Sequence, residues 1–236
     1  MGPKCATTLV TVPSKAKRRL GVFGGAFDPP HRAHLALAHA AFAQLGLNEI
    51  LLIPTGQAAH RSSTLRPGEH RLAMLKLALV DAQDSAPPGF LATVDARELA
   101  RPGVSYMVDT LRDLHQENPE ADLFLLIGAD QAQAFCRWHD WRGILDLAAV
   151  VVAPRETPGS VEEDQNGQPP YEFQSHPPAR AIALQMPLMP ISATQLRRQW
   201  AQSQTDEKPE LATLPPLVGP SVAGYIAQHQ LYKAAR

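Results

Sequence analysis

Short apolar runs recur along the chain, separated by longer stretches with apolar positions at helical spacing. Residues 20–23, 49–54, 90–94, 123–127, 148–153 and 181–184 are the apolar runs. They are too short for helices and nearly continuous, so they read as strands buried on both faces. Residues 35–45 form an alanine-rich helix, and Gly46 stops it. Leu72, Leu75, Leu79 and Val80 repeat at helical spacing within 69–80. Ser105 can cap a helix running to Glu117, which Asn118-Pro119 ends. Two more helices are predicted, over 193–203 and 221–229, with a polar linker between them.

Strands alternate with helices, so the pattern predicts an α/β chain: a mostly parallel sheet covered by helices on both faces. Ligands in such sheets bind beyond the carboxyl ends of the strands, at the point where strand order reverses. The turns at Gly24, Gly128 and Ser192 all follow predicted strands and are expected to meet at that edge. Residues 55–67 read as a polar loop carrying His60 and Arg61. Residues 154–178 are rich in Pro, Gly, Glu and Gln and read as a long surface loop or flap.

Composition narrows the class. A chain of 236 residues is long enough for one large α/β domain. A net charge of −1 gives no basic field, so neither nucleic acid nor a membrane surface is the expected partner. Cys5 and Cys136 make no paired framework, which suits a reduced cytoplasm. No apolar run approaches membrane-spanning length. Residues 1–18 are basic, lack an apolar signal core and are expected to be a disordered tail. A single domain over 19–236 follows, with residues 193–236 as its helical C-terminal part.

The chemistry concentrates in Gly24-Gly25-Ala26-Phe27-Asp28-Pro29-Pro30-His31-Arg32-Ala33-His34. Two glycines let a strand turn sharply toward a ligand. Two prolines suit a helix entrance, where N–H groups have no intrahelical partner. His31 and His34, three apart, share one face of the first turn, beside free N–H groups and the positive end of the helix dipole. That arrangement can hold an anion such as phosphate. The stretch is neither a P-loop nor a dinucleotide fingerprint, since it lacks both spacings. Two alternatives stay open on these residues alone: ordinary helix-start histidines, or two ligands of a metal whose third ligand is not identifiable.

This stretch resembles the Gly-x-Phe-Asp-Pro-x-His-x-Gly-His signature of the nucleotidyltransferases. Ile191-Ser192-Ala193-Thr194-Gln195-Leu196-Arg197 is similar to that superfamily's Ile-Ser-Ser/Ala-Thr-x-x-Arg. Arg97-Glu98-Leu99 with Ser105-Tyr106, and Ile127-Gly128-Ala129-Asp130 leading to Phe135 and Trp138, resemble the narrower family of bacterial nicotinate-nucleotide adenylyltransferases. The resemblance spans roughly residues 19 to 234, with four motifs in order. It implies a Rossmann-like three-layer α/β/α sandwich. It also implies adenylyl transfer from ATP to nicotinate mononucleotide in NAD biosynthesis, with Mg²⁺ travelling with ATP rather than held in a protein cage.

Residue roles follow by the same resemblance. Gly24, Gly25, Ala26 and Phe27 would line the ATP site. His31 and His34 would contact its phosphates, with His34 at the reacting centre. Ser192, Thr194 and Arg197 would hold phosphate, and Arg197 the leaving pyrophosphate. Ser192 and Gln195 also have capping-box spacing, and both roles can hold. Gly128 and Asp130 would bind nucleotide, Asp130 through a ribose. His60, Arg61, Met107, Asp130, Trp138 and His139 would form the acceptor side, with Trp138 stacking on the pyridine ring. Trp141 reads as structural, and His39, His70, His115, His176 and His229 as surface or packing residues.

The sequence departs from the family at Ala33, which replaces a glycine, and at Ala58-Ala59, where Pro-Pro is common. Met107 stands for a threonine and His139 for a tyrosine, and both touch the acceptor side. The runner-up enzyme is a related adenylyltransferase of phosphopantetheine, which has no reason to carry Trp138 or the Asp130 turn. A non-catalytic nucleotide sensor would be expected to have lost His34 or Arg197, and both are present.

Overall fold

Arg19–Gly25 forms β1, a strand with hydrogen-bonded neighbours on both sides. The structure is a computed structural model that describes residues 17–58, 65–153, 181–187, 189, 191–203 and 215–233. From β1 the chain runs through α1 (Arg32–Leu45), β2 (Glu49–Pro54), β3 (Gln57–Ala58), α2 (Gly68–Asp81), β4 (Ala92–Val94) and α3 (Arg97–Ala100). It continues through β5 (Val104–Ser105), α4 (Met107–Glu117), β6 (Asp122–Ile127), α5 (Ala129–Gln133), α6 (Trp141–Leu147) and β7 (Ala148–Val152). β8 (Ala181–Ala183), α7 (Ala193–Ser203), α8 (Pro215–Val218) and α9 (Pro220–Gln228) complete the described strands and α-helices.

Six strands make one parallel sheet in the order β4-β2-β1-β6-β7-β8. The chain builds outward from β1 to β4, then returns to β1's other side with β6. Strand order therefore reverses between β1 and β6, the place where open α/β sheets bind ligands. Val22 pairs with Leu125, so Gly25 and Gly128 emerge at the same edge. β3 and β5 form a separate two-stranded parallel pair.

Alternation along the strands sorts the core into two layers. Leu20, Val22, Leu123, Leu125, Ile127 and Val150 face α4 and α6 through Val108, Leu111 and Ile144. Phe23, Ile50, Leu52, Phe124, Leu126 and Val151 face the other way, onto Leu37, Ala38, Ala41 and Leu75 of α1 and α2. Full burial of each leucine, isoleucine, valine or phenylalanine side chain among these contributes ~1.5–3 kcal/mol. A third cluster joins the C-terminal helices to this body: Leu196, Trp200, Val222 and Ile226 pack with Leu35, Met74 and Ala78. That packing brings α7, distant in sequence, to the end of β1.

Some elements differ from the sequence reading. Ser105 does not cap α4: it ends β5, its Oγ donates to the Glu98 carbonyl at 3.4 Å, and Tyr106 is the capping position. Helix α1 starts at Arg32, so Pro29 and Pro30 lie before its cap instead of in its first turn. Part of the expected linker is helix α8, part of the 55–67 loop is β3, and α6 was not anticipated. Lys17 and Arg18, counted with the tail, are described: Arg18 donates to Asn118 Oδ1 at 3.1 Å and to Glu49 Oε2 at 2.5 Å. The rest of that tail, and the whole 154–178 loop, lie outside the described residues.

Candidate active site

The turn from β1 to α1 is a tightly packed structure in its own right. Gly24 lies against Met107; a Cβ on Gly24 would sit 2.2 Å from the Met107 methyl. Phe27 has φ +47 and is only 1 % exposed. A left-handed backbone is unusual for a bulky side chain and persists where surrounding contacts over-determine it. Those contacts include Phe23, at 5.5 Å between ring centroids, and His34, at 5.0 Å. The Asp28–Pro29 peptide is cis.

His31 is the N-cap of α1 and His34 its third residue. The His31 N–H donates to His34 Nδ1 at 3.1 Å, and the two rings stack at 3.7 Å between centroids. An imidazole whose Nδ1 accepts carries its proton on Nε2 when neutral. The helix start therefore sets the tautomer of His34 and leaves Nε2–H as its donor. His31 is buried, and its Nδ1 has no hydrogen-bond partner among the described residues. Burial lowers the His31 pKa to about 4. Burial, and then the neighbouring His31, hold His34 well below the ordinary histidine value. Both rings are neutral near pH 7 without a ligand. A bound polyphosphate would favour their charged forms, by placing negative charge beside them.

Asp28 ties the turn to three other segments. Its Oδ1 accepts from the Tyr232 hydroxyl at 2.5 Å and its Oδ2 from the Arg66 N–H at 3.2 Å. Its main-chain carbonyl accepts from Arg197 Nη1 at 2.7 Å. Arg197 Nη2 also donates to Thr194 Oγ1 at 3.2 Å. Gln195 N–H donates to Ser192 Oγ at 3.2 Å, and Ser192 Oγ contacts Gln195 Oε1 at 3.1 Å, so the expected cap is made. The two superfamily motifs are thus joined directly. Buried Arg71 supports the same turn: Nη1 donates to the Ala26 carbonyl at 3.0 Å and Nε to the Arg66 carbonyl at 2.9 Å.

Met107 begins α4 with its side chain against Gly24. Gly128 caps α5, and Asp130 is exposed in its first turn. Trp138 is half-buried against Phe135, at 5.6 Å between centroids. The exposed His139 ring lies 4.2 Å from that of Tyr106. Trp141 packs on the core and under Arg142, as a structural residue would. His70 bonds Tyr225 and sits beside His229. His60 and Arg61 lie outside the described residues, as does His176.

The β3–β5 pair is held by a buried carboxyl. Thr110 Oγ1 donates to Glu98 Oε1 at 2.8 Å, and Arg101 Nη1 to Thr110 Oγ1 at 3.0 Å. Burial pushes the Glu98 pKa up, while Thr110, Arg101 and the Gly56 N–H oppose the shift. Gly56 must be glycine here, because a Cβ would come 2.1 Å from the Glu98 carbonyl oxygen.

Sequence reading missed Tyr232, Arg66, Arg71 and the supporting role of Asp28. One signal was available: Arg71 shares the buried stripe of α2 with Met74, Leu75 and Ala78, and a charge there demands partners. Tyr232 and Arg66 gave no comparable signal.

With the geometry known, comparison with other proteins is informative. Residues 22–199 match the family model described as cytidylyltransferase-like. A protein of Albidiferax ferrireducens named "Probable nicotinate-nucleotide adenylyltransferase" is 42 % identical, over 92 % of this chain and 100 % of that protein. A protein of the same name from Laribacter hongkongensis is 39 % identical, over 91 % and 94 %. Among solved structures, the nicotinic acid mononucleotide adenylyltransferase of Plasmodium falciparum complexed with NaAD superposes with a TM-score of 0.67. It covers 91 % of this chain and 97 % of that one at 17 % identity, a likeness of fold. The motif order, the parallel sheet with its switch point and these relatives agree: the chain belongs to the cytidylyltransferase-like family and, within it, to the nicotinate-nucleotide adenylyltransferases.

Proposed function

We propose that this protein transfers the adenylyl group of ATP to nicotinate mononucleotide, forming deamido-NAD and pyrophosphate. The observation that carries the reading is the contact between Arg197 and the Asp28 carbonyl, which brings a cationic fork to the histidine turn at the switch point. The relatives' names and the NaAD-bound structural neighbour support the choice of acceptor.

In this reading a phosphate oxygen of the mononucleotide attacks the α-phosphorus of ATP, and the bond to the pyrophosphate oxygen breaks. That phosphate has a second pKa of about 6, so it is ionised at neutral pH and needs no general base. Catalysis is alignment plus charge stabilisation. His34 Nε2–H donates at the reacting phosphate, and His31 takes another phosphate oxygen. Arg197, Thr194 and the N-terminus of α7 take the pyrophosphate. Gly24, Gly25, Ala26 and Phe27 shape the wall beside the nucleotide, with Gly128 and Asp130 across the switch point. Trp138 stacks on the pyridine ring, bordered by Met107 and His139, and the resemblance assigns the acceptor phosphate to His60 and Arg61. Mg²⁺ enters as part of the MgATP substrate. The reading includes a cytoplasmic location, consistent with two cysteines that form no framework. No helix among the described residues is long and apolar enough to cross a membrane.

The test is pyrophosphate release from MgATP with nicotinate mononucleotide, its amide analogue or phosphopantetheine. Release with nicotinate mononucleotide is expected. Release with phosphopantetheine alone would move the protein to the runner-up activity. ATP binding without any release would indicate a sensor.

A further inference from the structure

Tyr232 follows α9 near the C-terminus, 204 residues from Asp28 in sequence, yet its hydroxyl donates to the Asp28 carboxylate at 2.5 Å. Both residues are 3 % exposed. The Tyr232 ring sits in the cluster that holds the C-terminal helices to α1 and α2, and the Arg66 guanidinium lies 5.1 Å above it. Burial and the adjacent Asp28 charge push the Tyr232 hydroxyl far above its usual pKa, so it remains a donor at every working pH. Its backbone adopts φ +62, and Gln230 before it φ +53. Such conformations in non-glycine residues persist where tertiary contacts impose them.

The ring packs in the cluster that anchors α9, where the hydroxyl also lies 4.0 Å from Met74 Sδ. The hydroxyl reaches further, to a residue whose carbonyl carries Arg197 and whose other carboxylate oxygen takes the Arg66 N–H. A carboxylate buried at this depth is costly to leave short of a donor. Loss of the hydroxyl would therefore release Asp28, and with it the turn that presents His31 and the anchor of Arg197. We propose that Tyr232 is a positioning residue: its hydroxyl, through Asp28, fixes the ATP-phosphate turn and the seat of Arg197. The C-terminal segment thereby sets the affinity of the nucleotide site from outside it. This rests on reading the turn as the site of the ATP phosphates.

Tyr232→Phe tests it, since the ring and its packing are kept. Steady-state kinetics should show the KM for ATP rising about fivefold to tenfold, the loss expected for one hydrogen bond. The KM for nicotinate mononucleotide should stay within about twofold. The Kd of a non-hydrolysable ATP analogue should rise in parallel. Hydrogen–deuterium exchange should increase over residues 26–34 and not over β6 or β7. Asp28→Asn, which weakens the same bond, should give the same pattern, and the double variant should be no worse than the worse single one. Should Tyr232→Phe not fold, Asp28→Asn carries the test with the same readouts. An unchanged ATP KM and analogue Kd, an equal rise in both KM values, or a lower melting temperature alone would overturn the proposal. A wild type that releases no pyrophosphate would overturn the activity instead. Analogue binding and exchange would still decide the role of Tyr232, and unaltered exchange over 26–34 would then refute it.

Discussion

Arg197 Nη1 lies 2.7 Å from the main-chain carbonyl oxygen of Asp28, 169 residues away along the chain. The contact uses one arm of the guanidinium, and Nη2 meets Thr194 Oγ1. Arg197 is half-buried, whereas Arg198 is exposed and turned ~100° around α7. A guanidinium held on its protein side this way keeps donors for a phosphate at a fixed position.

Arg197→Ala is therefore expected to raise the KM for ATP and slow turnover, by about ten- to a hundredfold in kcat/KM for a charged hydrogen bond. Arg198→Ala should change neither by more than about twofold. Steady-state kinetics at varied ATP decide it, and equal effects of the two substitutions would refute the facing.

His34→Ala should reduce kcat by roughly 10²–10³, the loss seen when one transition-state donor is removed. Because His34 Nδ1 also satisfies the His31 N–H, stability should fall by about 1 kcal/mol as the cap is lost. A folded variant with near-normal kcat would remove His34 from the chemistry.

Stability should depend on pH through His31. Its folded pKa is about 4, below the ordinary 6.5, so the unfolded chain binds the proton first. Stability is full above pH 6.5 and declines as pH falls toward 4. At pH 5.5 this group alone should remove about 1–1.5 kcal/mol relative to pH 7.5. Urea unfolding at the two pH values measures the loss. His31→Gln should flatten part of the slope, with the remainder coming from His34 and His39, both also lowered by burial. The same slope in the variant would exclude His31 as its source.

The acceptor should be the acid, nicotinate mononucleotide, over its amide. A carboxylate only accepts hydrogen bonds, while the amide brings two donor hydrogens. Each unsatisfied group in a buried site costs roughly 1–3 kcal/mol, enough for a ten- to hundredfold preference in kcat/KM. On the proposed stacking of Trp138 on the pyridine ring, the part both acceptors share, Trp138→Ala should lower kcat/KM for both. Equal values for acid and amide in the wild type would move the enzyme to the amide branch of the same chemistry.

Local pattern was enough for the sheet and for the two turns at its edge. Apolar runs in β1, β2, β6 and β7, with helical spacing between them, require a covered parallel sheet, because both faces of each strand must be buried. Gly24 to His34 and Ser192 to Arg197 read locally as a glycine turn into a histidine-bearing helix start and as a capped, cationic helix, because turn and cap geometry is encoded within a few residues. The Ser105 cap failed for the converse reason. Its hydroxyl found the Glu98 carbonyl, a partner in a neighbouring segment that local spacing does not reveal. What joins the motifs was decided by tertiary structure alone. The seat of Arg197 on Asp28, the Tyr232 hydroxyl on the same residue and Arg71 on Ala26 each link distant segments. Such contacts depend on how α2, α7 and α9 pack around the end of β1. That packing is set by which apolar faces fit together in space, a relation that no stretch of sequence carries by itself.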